Sequence, residues 1–244
     1  MVLDPYFQQI VEEKADEIVA SDHECEFYAT PLKSEKMLKK AYREDLVKFF
    51  KLSDVQQSLE NAEKIILTQM SNFIPPEKFE KIKHEINQSG EHFVQFINSL
   101  SHEKVKNSEN PILLQQVFGL CNDTLLQIYS FAADLVKREC FNEAIYIFAF
   151  LATLAPHVSS YWIGQGACLQ ALDRHEEALA AFSVARAIKA DNPAPIIYSI
   201  ESYLAINDKE NAVNEAQLVK KIAWTFETEE KNYWLKKINQ FQLI

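Results

Sequence analysis

Apolar residues along this chain recur every three to four positions, in blocks separated by short polar turns, which is the pattern of amphipathic helices. Residues 5–20 carry Phe7, Ile10, Val11 and Ile18 with acids between them, and residues 35–52 carry Met37, Leu38, Tyr42, Leu46, Phe49 and Phe50. Ser53 with Gln56 resembles a capping box opening a helix over 54–73, whose stripe is Val55, Leu59, Ala62, Ile66 and Met70. Pro75-Pro76 interrupts the pattern, and a further stripe of Phe79, Ile82, Ile86, Phe93, Phe96 and Ile97 predicts a helix over 77–100. The polar stretch SHEKVKNSENP at 101–111 reads as a linker. Residues 1–105 are therefore expected to form an N-terminal helical region, and residues 106–244 a second domain.

The second domain carries an internal repeat. Ala144, Ala178 and Ala212 are separated by 34 and 34 residues, each just after a polar turn. Phe148 and Phe182 follow four positions later on the same helical face, where the third unit has Ala216. Ala132 and Gly166 lie twelve residues before Ala144 and Ala178, where a tetratricopeptide (TPR) unit places its other small residue; the third unit has Ile200 there. Trp162 takes the aromatic position of the middle unit and Pro156 the terminal proline of the first. Asp123, Ser159-Ser160 and Asn192-Pro193 signal helix starts. Three TPR units are expected at about 125–158, 159–192 and 193–226. Trp234, Ile238 and Phe241 then predict a capping helix over about 228–241, because a repeat stack needs its open end covered.

Composition acts by exclusion. With 4 glycines and 8 prolines in 244 residues, the chain lacks the turn residues of a sandwich or barrel and the glycine-rich loops that cradle phosphate. The expected class is all-α. A formal net charge of −10 disfavours nucleic acid as a partner. Cys25, Cys121, Cys140 and Cys168 are widely spaced and read as reduced thiols. No run approaches a membrane span, and the opening MVLDPYFQQIVEEKADE is not built like a secretory signal, so a cytoplasmic protein without membrane insertion is expected. His84, His92 and His102 with Glu85 and Glu91 match no metal-ligand spacing, so no metal site is expected. No nucleophile–base pair appears in 1–110, so no catalytic residue is assigned.

Residues 111–222 resemble the class II chaperones of bacterial type III secretion, the SycD/LcrH family. The blocks DTLLQIYSFA, YWIGQGACLQAL and EALAAFSVA carry the likeness. Trp162, Gly164, Gly166, Ala167, Cys168 and Gln170 stand on that family's aromatic-then-GxGxCxQ signature, and PILLQQVFGL matches its N-terminal helix. The resemblance implies a non-catalytic protein without cofactors that keeps hydrophobic translocator proteins soluble in the bacterial cytosol before export. It also implies a homodimer through a helix at about 111–121. Residues 1–105 lie outside it and are longer than that family's short arm; they are expected to extend the client surface or to occlude it.

A TPR stack is concave, with the first helix of each unit facing a bound extended peptide. The inward positions expected here are Leu126, Tyr129, Ala133 and Val136 in the first unit. The second supplies Ile163, Ala167 and Gln170, and the third Ile197, Glu201 and Leu204. Phe148 and Phe182 are expected in the core between paired helices, whereas Tyr129 and Ile163 are open to either reading. Cys168, with no histidine beside it, reads as a small buried hydrophobe. The alternative function is a non-catalytic TPR adaptor or scaffold. The version that grips a C-terminal carboxylate needs inward cations, and Tyr129, Ala133, Ile163 and Ala167 supply none.

Overall fold

The structure, a computed structural model, describes residues 12–13, 15–16, 56–99 and 113–242. Every regular element among the described residues is helical. Most of the helix expected at 5–20, that at 35–52, Ser53 of the capping box and the linker at 101–111 lie outside them. The chain divides into two compact units, Met1–Leu125 and Leu126–Ile244.

In the first unit, α1 (Gln56–Gln69) runs into a 3-10 turn (Met70–Asn72), and α2 spans Pro76–Ser99. Pro76 opens α2, where its missing N–H costs nothing. The predicted stripes are the buried faces: Leu59, Ala62 and Ile66 on α1 with Met70 opening the 3-10 turn, and Phe79, Ile82, Ile86 and Phe93 on α2. Of the helix expected at 111–121, the described residues hold a single turn, α3 (Leu114–Val117). Its chain then bends at Gly119, whose φ of 68° suits glycine and whose Cβ position would be filled by the His92 ring. Phe118 stacks on Phe93 with centroids 5.2 Å apart, and the Glu85 carboxylate accepts the Cys121 N–H at 3.1 Å. Val117, Phe118 and Leu120 are thereby buried within this chain.

The division falls inside α4 (Asn122–Lys137), and the rest of α4 opens the second unit. There follow α5 (Phe141–Leu154), α6 (Ser159–Ala171), α7 (His175–Ile188), α8 (Pro193–Ala205), α9 (Lys209–Ala223) and α10 (Thr228–Asn239). These are the three expected hairpins and the cap. Each helix packs on the next from α5 to α10.

The hairpin turns repeat one backbone conformation. Glu139, Asp173 and Asn207, 34 residues apart, each adopt a left-handed backbone with φ near 60°. The following N–H groups, of Cys140, Arg174 and Asp208, donate back to Leu135, Leu169 and Tyr203 at 2.8–2.9 Å, closing the end of each first helix. The turns thus do the work of glycine without glycine.

Core volume is conserved while its source changes. In the first two repeats a small residue on the first helix (Ala132, Gly166) is matched by a phenylalanine on the second (Phe148, Phe182). The third reverses this, with fully buried Ile200 on α8 and fully buried Ala216 on α9. Close packing tolerates such a swap because total volume, not its donor, is constrained. The cap completes the same cluster: Ile238 is buried against it, with Trp234, Leu235 and Phe241 around it.

Repeats are also pinned to one another by polar contacts. Trp162 Nε1 donates to the Pro156 carbonyl at 2.9 Å, joining two of the repeat markers. Arg186 Nη1 lies 2.8 Å from both carboxylate oxygens of Glu215. Ser159, expected to cap its own helix, instead donates to the carbonyl of Ala185 at 2.9 Å; the N-cap position is Val158. Asn192 does cap α8, accepting from the Ala194 N–H at 3.0 Å.

Candidate functional site

The first helices of the repeats, α4, α6 and α8, lie side by side. Tyr129 of α4 tilts against Tyr161 of α6 at 5.7 Å, and Gln170 of α6 donates to α8. Equivalent positions are 34 residues apart and form columns across these helices. Tyr129, Ile163 and Ile197 make one column; Ala133, Ala167 and Glu201 make the next; Val136, Gln170 and Leu204 make the third.

The columns are not uniformly open. Leu126 is 58% exposed, and Tyr129, Ala133, Val136, Ile163 and Ala167 are half-buried, leaving an apolar face with a small-residue floor. Tyr129 also meets Phe148 edge-on at 6.0 Å, so its ring serves core and face together. Ile197 departs from the expectation. At 6% exposure it packs with Ile196, Ile200 and Ile238 in the last core cluster. Gln170 is spent on the fold: its amide donates to the Tyr198 carbonyl and to the buried Ser202 hydroxyl, both at 3.1 Å. Leu204 leans on the last cluster and is half-buried.

Glu201 is the exposed charge of the alanine column. Partial burial holds its carboxyl above the usual range, opposed by the ammonium of Lys237 on α10. Tyr198, one turn before it, has its phenol pushed up by burial and then by Glu201 and Tyr233. Neither Tyr233 nor Lys237 was legible as a neighbour of the face, because both come from the cap. Lys237 Nζ sits 5.9 Å from the Tyr233 ring centroid.

The two glycines of α6 are required by packing. A Cβ on Gly164 would fall on the Phe148 ring, and one on Gly166 on the Phe182 ring. Cys168, two residues beyond Gly166, is fully buried, and burial pushes its thiol up to about 12, which removes the nucleophilic thiolate at neutral pH. Among the described residues, no group of three histidine, cysteine or carboxylate side chains could hold a metal ion. Glu85 and His92 belong to the turn at 118–121, where His92 Nδ1 lies 3.4 Å from the Phe118 carbonyl.

No family model matches the chain, and no curated protein matches it. Solved structures do. The Yersinia enterocolitica type III secretion translocator chaperone SycD matches with a TM-score of 0.51 at 21% identity, over 55% of this chain and 100% of that one. Over that part, this chain shares the fold of SycD. A chain of the CopN–Scc3 complex matches with a TM-score of 0.50 at 19% identity, covering 60% of this chain and 84% of that one. At such identities the likeness concerns backbone architecture, and much of this chain lies outside it. Among the described residues, no helix is long and apolar enough to cross a membrane.

Proposed function

We propose that this protein is a non-catalytic chaperone of bacterial type III secretion, acting in the cytoplasm. It holds an extended segment of a hydrophobic translocator on the face formed by α4, α6 and α8 and keeps that client soluble for export. The carrying observation is the half-buried apolar face of Tyr129, Ala133, Val136, Ile163 and Ala167, set on the fold shared with the translocator chaperone SycD. Ala133 and Ala167 supply a floor low enough for a peptide backbone to approach, and the flanking larger side chains supply walls. Residues 106–244 are assigned as the chaperone domain, and residues 1–105 as a separate helical region that extends or occludes the face. A homodimer through 111–121 would have to use the outer side of α3, since Val117, Phe118 and Leu120 are already buried.

The test is co-expression with a hydrophobic translocator of the same host. A soluble complex is expected, lost with Ala167→Glu while far-ultraviolet circular dichroism stays unchanged. Failure of the wild-type chain to hold any such client in solution sinks the reading. Unfolding of Ala167→Glu, with binding retained by Ala133→Ser, would instead reassign Ala167 to the core.

A further inference from the structure

One position of the repeat changes chemical character along the groove. Ala133 and Ala167 are followed, 34 residues on, by Glu201, so an apolar floor ends in a carboxylate. Among the described residues no hydrogen bond or ion pair within 4.0 Å holds that carboxylate. Its surroundings suit a cation. Tyr198, stacked on Phe182 at 5.5 Å, lies one helical turn before it on the same face, and Tyr233 projects from the cap with 53% exposure. Aromatic faces attract cations through their quadrupole, and a nearby carboxylate adds the counter-charge. The chain already places one cation there: Lys237, whose ammonium lies over the Tyr233 ring, acts electrostatically on Glu201 without closing an ion pair.

We propose that Glu201, with Tyr198 and Tyr233, makes the α8 end of the groove a subsite for a lysine or arginine side chain of the bound segment. The proposal rests on the groove reading above. It adds to it a charge requirement: an aliphatic stretch of the client lies along Ala133 and Ala167, and a basic residue follows at Glu201. Lys237 is the resident competitor, holding the subsite electrostatically balanced until a client cation enters. This gives the groove a direction, since an apolar segment alone fits the alanine floor in either sense, whereas a segment with a basic end fits in one.

The test uses the full chain and an array of acetylated, amidated dodecapeptides of leucine, valine, proline, serine and alanine. Each peptide is made with norleucine, lysine, arginine or glutamate at every position in turn. Lysine or arginine near one end is expected to raise affinity about tenfold over norleucine, the scale of a charge-assisted hydrogen bond. Glu201→Gln should abolish that gain while leaving the norleucine peptides bound within about twofold, the scale of an unaltered contact set. Lys237→Met should enlarge the gain. Norleucine peptides that bind with no basic preference, or a preference that survives in Glu201→Gln, overturn the subsite and leave the groove reading standing. If no peptide of the array binds in any version, the groove reading fails and the subsite with it.

Discussion

Gly166 on α6 and Phe182 on α7 are in such close register that the space a Cβ would need is occupied by the phenyl ring. The ring cannot yield, because it is buried and stacked on Tyr198 of the next repeat. One missing side chain thus sets the distance between the helices of the middle repeat and the seating of the third.

Gly166→Ala should therefore destabilise the protein. Alanine's better helix propensity returns about 1 kcal/mol, but overpacking of a full core costs about 1–3 kcal/mol, and here the clash is with a pinned ring. A net loss of up to about 2 kcal/mol is expected by urea unfolding on those magnitudes. Adding Phe182→Leu to Gly166→Ala should recover part of it. A gain in stability from the single substitution would show that the ring moves freely.

The exchange of large and small residues in the third repeat makes a second prediction. Ala216→Phe alone overpacks the cluster around Ile200, and Ile200→Ala alone leaves a cavity, costing about 2–5 kcal/mol. The two together should cost less than their sum by about 1–3 kcal/mol. Strict additivity in a double-mutant cycle would separate the two sites.

The left-handed turns predict a stabilising change. Glu139 holds φ 61° with a side chain that gains nothing from it, unlike Asp173 and Asn207 in the equivalent turns. Glu139→Gly should raise stability by up to about 1 kcal/mol, less the extra chain entropy of glycine when unfolded. Asn207→Val, a β-branched residue at φ 62°, should lower it. Thermal midpoints moving in these opposite directions are the expected result.

Cys168 predicts an alkaline instability. Its native thiol keeps its proton up to about 12, whereas the unfolded chain releases it near the ordinary thiol range. Between those values the native state binds more protons, so stability is fully present below the unfolded pKa and falls as pH rises through the window. The slope from this one group is at most about 1.4 kcal/mol per pH unit. The stability difference between wild type and Cys168→Ala should therefore shrink from pH 9 upward. At neutral pH a thiol reagent should modify Cys168 only upon unfolding, and prompt modification of the native protein would contradict its burial.

How far the sequence reached differs between features. The spacing of Ala144, Ala178 and Ala212 located three hairpins, and Trp234, Ile238 and Phe241 located the cap, because helical periodicity and volume at a repeat position are local properties. The same spacing placed Ile197 and Gln170 at equivalent positions along the first helices of their repeats. Whether each is available was not local. Ile197 is closed by a cluster that includes Ile238 of the cap, and Gln170 is consumed by a carbonyl and a hydroxyl 28 and 32 residues away.

The chain alone therefore determined the fold class, the repeat register and which residue types line the first helices, since each follows from side-chain volume and polarity at a fixed helical period. Tertiary structure decided which of those side chains remain free. Exposure and electrostatic surroundings are sums over neighbours from other helices. Glu201 gains its character only when the cap brings Lys237 and Tyr233 alongside it. Ser159 likewise stops being a cap once the carbonyl of Ala185 comes within reach.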